Sequence, residues 1–154
     1  SLHDALPILK LYLILNDIQI RMKKQHLPQI SEQYHDDLLR SYQYVAAIQR
    51  LLTEEVLNVA ILNGTVNEAI DYIYRLHNNV NNLIGVATMA ESAIVYANKY
   101  RSTFLDINAD LNRAEFAFRN GEYTQSLSTI VNAIDRHQPG ISHEEFIKEN
   151  SQSA

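Results

Sequence analysis

Apolar residues recur along this chain every three or four positions, and polar residues fill the gaps. That period is the signature of amphipathic helices. Leu11, Leu15, Ile18 and Met22 repeat with 4-3-4 spacing and predict a first helix over about 9–25. "QHLPQIS" interrupts the pattern at Pro28, which cannot donate a backbone hydrogen bond. A second helix begins after Ser31, a side chain suited to an N-cap. It extends to about residue 54 with Leu38, Tyr42, Val45, Ile48 and Leu52 as its inward stripe.

The third pattern is the longest. With Val59 as position a of a heptad, the a positions are Val59, Val66, Ile73, Val80, Ala87 and Ile94. The d positions are Leu62, Ala69, Leu76, Leu83, Ala90 and Ala97. Every one is apolar, as coiled-coil-like packing requires. The register passes through Asn63-Gly64, a pair that commonly marks a turn. Both residues fall at outward positions, so a continuous helix over about 58–101 is expected; the other course is a start near Thr65.

Length then dictates architecture. About 44 residues at ~1.5 Å each give the third helix roughly 66 Å, whereas the second spans only ~36 Å. The first two helices can cover only the first half of the third, so the C-terminal segments must cover the rest. Two shorter helices, about 104–119 and 122–136, are separated by Asn120-Gly121, which suits a helix C-terminus. Gln138-Pro139-Gly140 closes the pair. The expected fold is all-α: a spectrin-like antiparallel three-helix bundle over 9–101 shares its long third helix with a helical hairpin over 102–140. Ser142 and Glu145 have capping-box spacing for a short last helix, and the tail through residue 154 is expected to fray. Residues 1–8 match a translated sequencing adapter. They are read as a non-native leader on the C-terminal fragment of a longer protein.

Composition narrows the function. There is no Cys, hence no disulfide frame, thiolate metal site or Cys nucleophile. A net charge of −5 argues against a nucleic-acid backbone as partner. No apolar run reaches the ~18 residues of a membrane span. Glu32 and His35 match one half-motif of a di-iron bundle, but no second copy accompanies it. His77 lies beside the seam and suits a boundary hydrogen bond. His137 and His143 lack a close third ligand. No metal, cofactor or catalytic residue is therefore assigned. In the hairpin, Ala114, Phe118, Gly121, Tyr123, Leu127 and Ala133 have spacings that resemble a tetratricopeptide unit. One copy is no solenoid. It leaves a packed hairpin and, as its rival, a peptide-gripping module.

The third helix ends in a polar and aromatic knot, Tyr96, Asn98, Lys99, Tyr100 and Arg101. Two readings stand side by side here. Lys99 and Arg101 complement the negative end of the helix macrodipole, or the cluster is a protein-recognition patch rich in Tyr and Arg.

"VYANKYRS", with "LNRAEFAFRNGEYTQSLSTIVNAIDRHQPG" close behind, resembles the C-terminal end of the septation ring formation regulator EzrA family of low-GC Gram-positive bacteria. The likeness reaches back through "HLPQISEQY" and covers essentially residues 9–140. The resemblance implies a non-enzymatic cell-division scaffold with a cytoplasmic arm of spectrin-like bundles. It implies binding to the tubulin-like protein FtsZ and restraint of its assembly, contact with other division and wall-synthesis proteins, and placement at the septum. A single membrane helix at the family's N-terminus, absent from this segment, would anchor the arm to the cytoplasmic side of the membrane. Self-association is left open. The family's patch for septal recruitment maps onto Tyr96, Asn98, Lys99, Tyr100 and Arg101. Asn98 and Arg101 fit best. Val95 stands where a Gln is expected, and Lys99 replaces a common Arg, whose bidentate contacts Lys cannot make.

Overall fold

The structure is a computed structural model and describes residues 2–137. Among them the elements are all helical: α1 (Leu2–Lys24), α2 (Glu32–Leu52), α3 (Val59–Asn98), α4 (Leu105–Arg119) and α5 (Tyr123–His137). The stop at Gln138-Pro139-Gly140, the helix expected from Ser142 and the tail lie outside the described residues. No described helix is long and apolar enough to cross a membrane. Spatial contacts divide the chain into two units, residues 1–26 with 31–81, and residues 27–30 with those from 82 onward.

In the first unit, α1, α2 and the leading part of α3 bury one face each. Leu11, Leu15 and Ile18 are at most 1% exposed, as their spacing requires. The helix itself begins at Leu2, earlier than the apolar stripe, and carries Pro7 inside. α1 and α2 run antiparallel: Tyr42 donates to Gln19 at 2.8 Å, and seven residues further along α2 Gln49 bonds Tyr12, seven residues back in α1. Ser31 caps α2 by accepting from the Gln33 N–H.

The inward stripe of α2 differs from expectation. Tyr42 and Leu52 are exposed, while Ser41, Val45 and Ile48 are buried. Ser41 satisfies its hydroxyl on the Asp37 carbonyl one turn back, at 2.8 Å, so it enters the core without an unpaired group. Val45 and Ile48 keep their expected inward places, and Ser41 is buried beside Tyr42, which lies at the rim.

Asn58 starts α3: its side-chain oxygen accepts from the Ile61 N–H at 3.1 Å, the third helical residue. The helix passes through Gly64, where an added Cβ would meet nothing within 4 Å. Leu62, Ala69, Ile73, Leu76 and Val80 are buried on the heptad spacing, but Val59 is 58% exposed. His77 Nε2 lies 2.8 Å from the Asp17 carboxylate. That bond and the neighbouring Arg21 hold Asp17 below the usual carboxylate range.

The second unit is built on the later part of α3. Ile84, Ala87, Ala90, Ala93, Tyr96 and Ala97 are buried. Here Ile84 and Ala93 are buried, while Leu83 and Ile94 beside them are only partly so; Ala87, Ala90 and Ala97 keep their heptad places. Ala93, Tyr96 and Ala97 form one cluster with Ile107, Leu111 and Ala114 of α4 and Ile130 and Ile134 of α5. Each large aliphatic chain fully buried there contributes roughly 1.5–3 kcal/mol. Helices α4 and α5 meet through small side chains, and Ser126 donates to the Ala114 carbonyl at 2.8 Å, fully buried.

The turn between α4 and α5 has one solution. The Glu122 N–H bonds the Ala117 carbonyl and the Gly121 N–H bonds that of Phe118, a Schellman closure. It puts Gly121 at φ +81°. Tyr123 packs edge-on to Phe118 and donates to the Gln29 carbonyl at 2.5 Å. That same carbonyl lies 3.1 Å from where a Cβ on Gly121 would stand.

The two glycines therefore respond oppositely to alanine. Gly64→Ala should stabilise the chain by about 0.5–1 kcal/mol, since only backbone entropy changes. Gly121→Ala should destabilise it by about 1–2 kcal/mol through the left-handed backbone alone, with the Gln29 contact adding to that. Urea midpoints of the two variants check the signs; equal shifts would contradict both local geometries.

Candidate functional site

The five residues of the polar knot are brought to the C-terminal end of α3, but their environments differ. The helix stops at Asn98. The chain then tightens through bonds from the Tyr100 N–H to the Ala97 carbonyl and from the Arg101 N–H to that of Asn98, three residues back in each case. Bonds from the Thr103 and Phe104 N–H groups to the Tyr100 carbonyl complete the reversal into α4.

Tyr96 points into the core and is 3% exposed. It is the floor of the cluster and not its surface. Lys99 is exposed and lays its ammonium over the Tyr96 ring, 3.9 Å from the centroid, and within 5.5 Å of the Tyr100 centroid. Such cation–π contacts hold a flexible lysine in place by about 0.5–1 kcal/mol at exposed sites. Tyr96, Tyr100 and Phe104 succeed one another at four-residue intervals, with neighbouring centroids 6.0 and 6.5 Å apart. His137 closes the row, stacked on Phe104 at 4.1 Å.

Arg101 turns the other way. Its guanidinium donates to Asn98 at 3.1 Å, to Asn112 at 3.2 Å and to Glu115 at 2.9 Å. The last two partners lie on α4. Arg101 and Glu115 are each about one-third exposed, 32% and 35%. Asn98 is exposed beside them. Val95 is also exposed, at 69%.

A second charged group lies between α4 and α5. Asp110 is buried and is paired with both Arg113 and Arg136, as a buried carboxylate must be. Asp106, in the first turn of α4, bonds His137 at 2.7 Å and has Arg136 at 3.7 Å. The His137 hydrogen bond is the largest influence holding the Asp106 carboxyl below its ordinary range. Sequence reasoning missed Asn112, Glu115, Phe104 and Asp106. The only available signal was the acidic position of Asp106 at a helix start; the rest depends on the angle of α4. Among the described residues no three His, Asp or Glu side chains come together as metal ligands would. The small apolar hollow near the knot, lined by Tyr100, Phe104, Ile107, Ile134 and His137, presents no polar surface.

What these features define is an all-helical protein whose candidate site is a mixed polar and aromatic surface. A family model described as "Septation ring formation regulator, EzrA" matches residues 7–144, and the chain belongs to that family. It is 30% identical over 119 residues to the septation ring formation regulator EzrA of Geobacillus kaustophilus (strain HTA426), covering 77% of this chain and 21% of the relative. It is 34% identical over 90 residues to the protein of that name from Oceanobacillus iheyensis, covering 58% and 16%. The Staphylococcus aureus (strain JH9) protein is 26% identical over 108 residues, covering 68% and 19%. The chain thus spans about a fifth of the length of these curated relatives. No solved structure matches it.

The lowered Asp106 carboxyl implies an acid dependence with a definite sign. The stabilisation is fully present above the unfolded carboxylate value, about pH 4, and is lost as pH falls through the lower folded value. Asp106→Asn should therefore flatten the loss of thermal stability on acidification below about pH 4. An unchanged acid profile would contradict the Asp106–His137 bond.

Proposed function

We propose that this chain is part of a cell-division regulator and acts as a non-enzymatic scaffold in septation. The observation that carries the proposal is the family match over residues 7–144. In this reading a spectrin-like bundle over 9–101 is the spacer, and the hairpin over 102–140 frames a docking surface. The longer protein acts on the cytoplasmic side of the cell membrane at the division septum. It restrains FtsZ assembly and contacts other division and wall-synthesis proteins. Anchorage to the membrane is the task of an N-terminal helix in the longer protein.

The docking surface we assign is Asn98, Lys99, Tyr100 and Arg101, with Tyr96 beneath. Their support is geometric. Asn98 and Lys99 are exposed, Tyr100 and Arg101 are half-buried at the rim, and Lys99 is steadied by two aromatic rings. Aromatic and guanidinium groups of this kind concentrate binding energy when a partner desolvates them. A peptide-gripping hairpin would need the inner faces of α4 and α5 free. Leu111, Ala114 and Ile130 are instead buried with Ala93, Tyr96 and Ala97 of α3, which counts against that rival.

The test is a chimera in which this chain replaces the matching segment of the Staphylococcus aureus relative, fluorescently tagged and imaged with FtsZ. Asn98→Ala with Arg101→Ala should abolish septal placement while changing the melting temperature of the isolated chain by only a few degrees, the usual scale of roughly 1 kcal/mol in a chain of this size. Normal placement of the folded double variant would refute the patch.

A further inference from the structure

At the corner where α3 turns into α4, Tyr100, Phe104 and Ile107 meet Ile134 and His137 of α5 around a hollow that presents no polar surface. Ile107 and Ile134 lie deep, 1% and 6% exposed, while Tyr100, Phe104 and His137 are half-buried walls. His137 is held in place by its stack on Phe104 at 4.1 Å and its bond to Asp106 at 2.7 Å. Even with its open side counted, the hollow measures about 190 Å³, below the roughly 300–1,000 Å³ of small-molecule sites. Its size and apolar lining suit one or two side chains of a protein segment, whose burial removes apolar surface from water.

We propose that the occupant is this chain's own segment 141–147, with Ile141 and Phe146 as the side chains that enter the hollow. The segment starts next to its seat: α5 ends at His137, itself a wall, and Ile141 follows by four residues, a span of at most ~14 Å. Gln138-Pro139-Gly140-Ile141 has Pro and Gly at the two central places of a type II turn, which returns the fourth Cα to within about 7 Å of the first. Such a turn directs Ile141 back toward the wall that the chain has just left. Ser142 and Glu145 have capping-box spacing. Ile141 and Phe146 then stand one residue before the cap and four after it, the two positions of a hydrophobic staple. A staple gathers both side chains at one helix start and makes a compact apolar plug. Charge agrees with the seat. The segment and the two residues after it carry Glu144, Glu145 and Glu149 against one lysine, Lys148. The Lys99 ammonium lies within 5.5 Å of the Tyr100 centroid, and the acid at this corner, Asp106, is engaged by His137 and Arg136. Seated there, the segment covers Tyr100 from one side, so a partner that uses this ring of the docking surface assigned above has to displace it.

The experiment uses the isolated full chain. It has no Cys, so Asn150→Cys accepts a nitroxide spin label at a single site. The label should broaden the methyl resonances of Ile107 and Ile134 strongly, and an excess of unlabelled chain should leave that broadening unchanged. Ile141→Ser with Phe146→Ser keeps the same tether and alters no described residue; it should restore most of the lost intensity. Equal broadening with and without the two substitutions would overturn the seat, because the tether alone would then account for it. Broadening that disappears on mixing with unlabelled chain would overturn it too, in favour of a second copy. The measurement involves no partner, so failure of the septal-placement test would leave its result standing.

Discussion

The apolar stripe of α3 governs the rest of the molecule. It runs without a polar break from Leu62 to Ala97 and supplies the core of both units. An isolated helix of this kind would expose that stripe to water, and propensity alone would not hold it. In the first unit the stripe is buried by α1 and α2, in the second by α4 and α5. Each neighbour is amphipathic because it has one such face to cover. Gly64 and Gly85 are tolerated because both point to open space, away from the stripe. Their cost is local and small beside the burial along the helix.

The polar knot exists because of where that stripe stops. Once the apolar seam ends at Ala97, the chain has to reverse into α4, and the reversal leaves polar groups at an exposed corner. Tyr96 divides the corner in two. Its ring belongs to the core on one side and supports Lys99 on the other. Arg101 ties the corner to α4. The corner is thus ordered on both sides, Lys99 by the Tyr96 and Tyr100 rings and Arg101 by acceptors on α4. A surface ordered in advance loses less side-chain freedom when a partner binds.

Much of the fold was legible because it depends on period and punctuation. The α1 stripe, the Ser31 cap and the Gly121 turn each arise from one residue type in one local context. Continuity through Asn63-Gly64 was legible from heptad register, which outweighed the usual turn preference of the pair. What was not legible depends on how helices lean on one another. Ser41 displaced Tyr42 from the core because a small hydroxyl can be satisfied within its own helix. Ile84 and Ala93 are buried deeper than Leu83 and Ile94, although Ala87, Ala90 and Ala97 around them keep the seven-residue register. Val59 reads as a seam position but stands at the exposed start of the helix. The site shows the same limit. The five residues of the knot were visible as a cluster, but the burial of Tyr96 and the anchoring of Arg101 by Asn112 and Glu115 are set by the seat of α4.

All of this needs α3 to be one helix from Val59 to Asn98. Residue-resolved amide hydrogen exchange on the isolated chain tests that directly. A continuous helix predicts that the amides of residues 62–66 exchange at least about a hundredfold more slowly than an unprotected chain, with protection unbroken through 97. Unprotected exchange at 63–66, with protection resuming beyond it, would mean that the helix breaks at the glycine and would contradict a single α3.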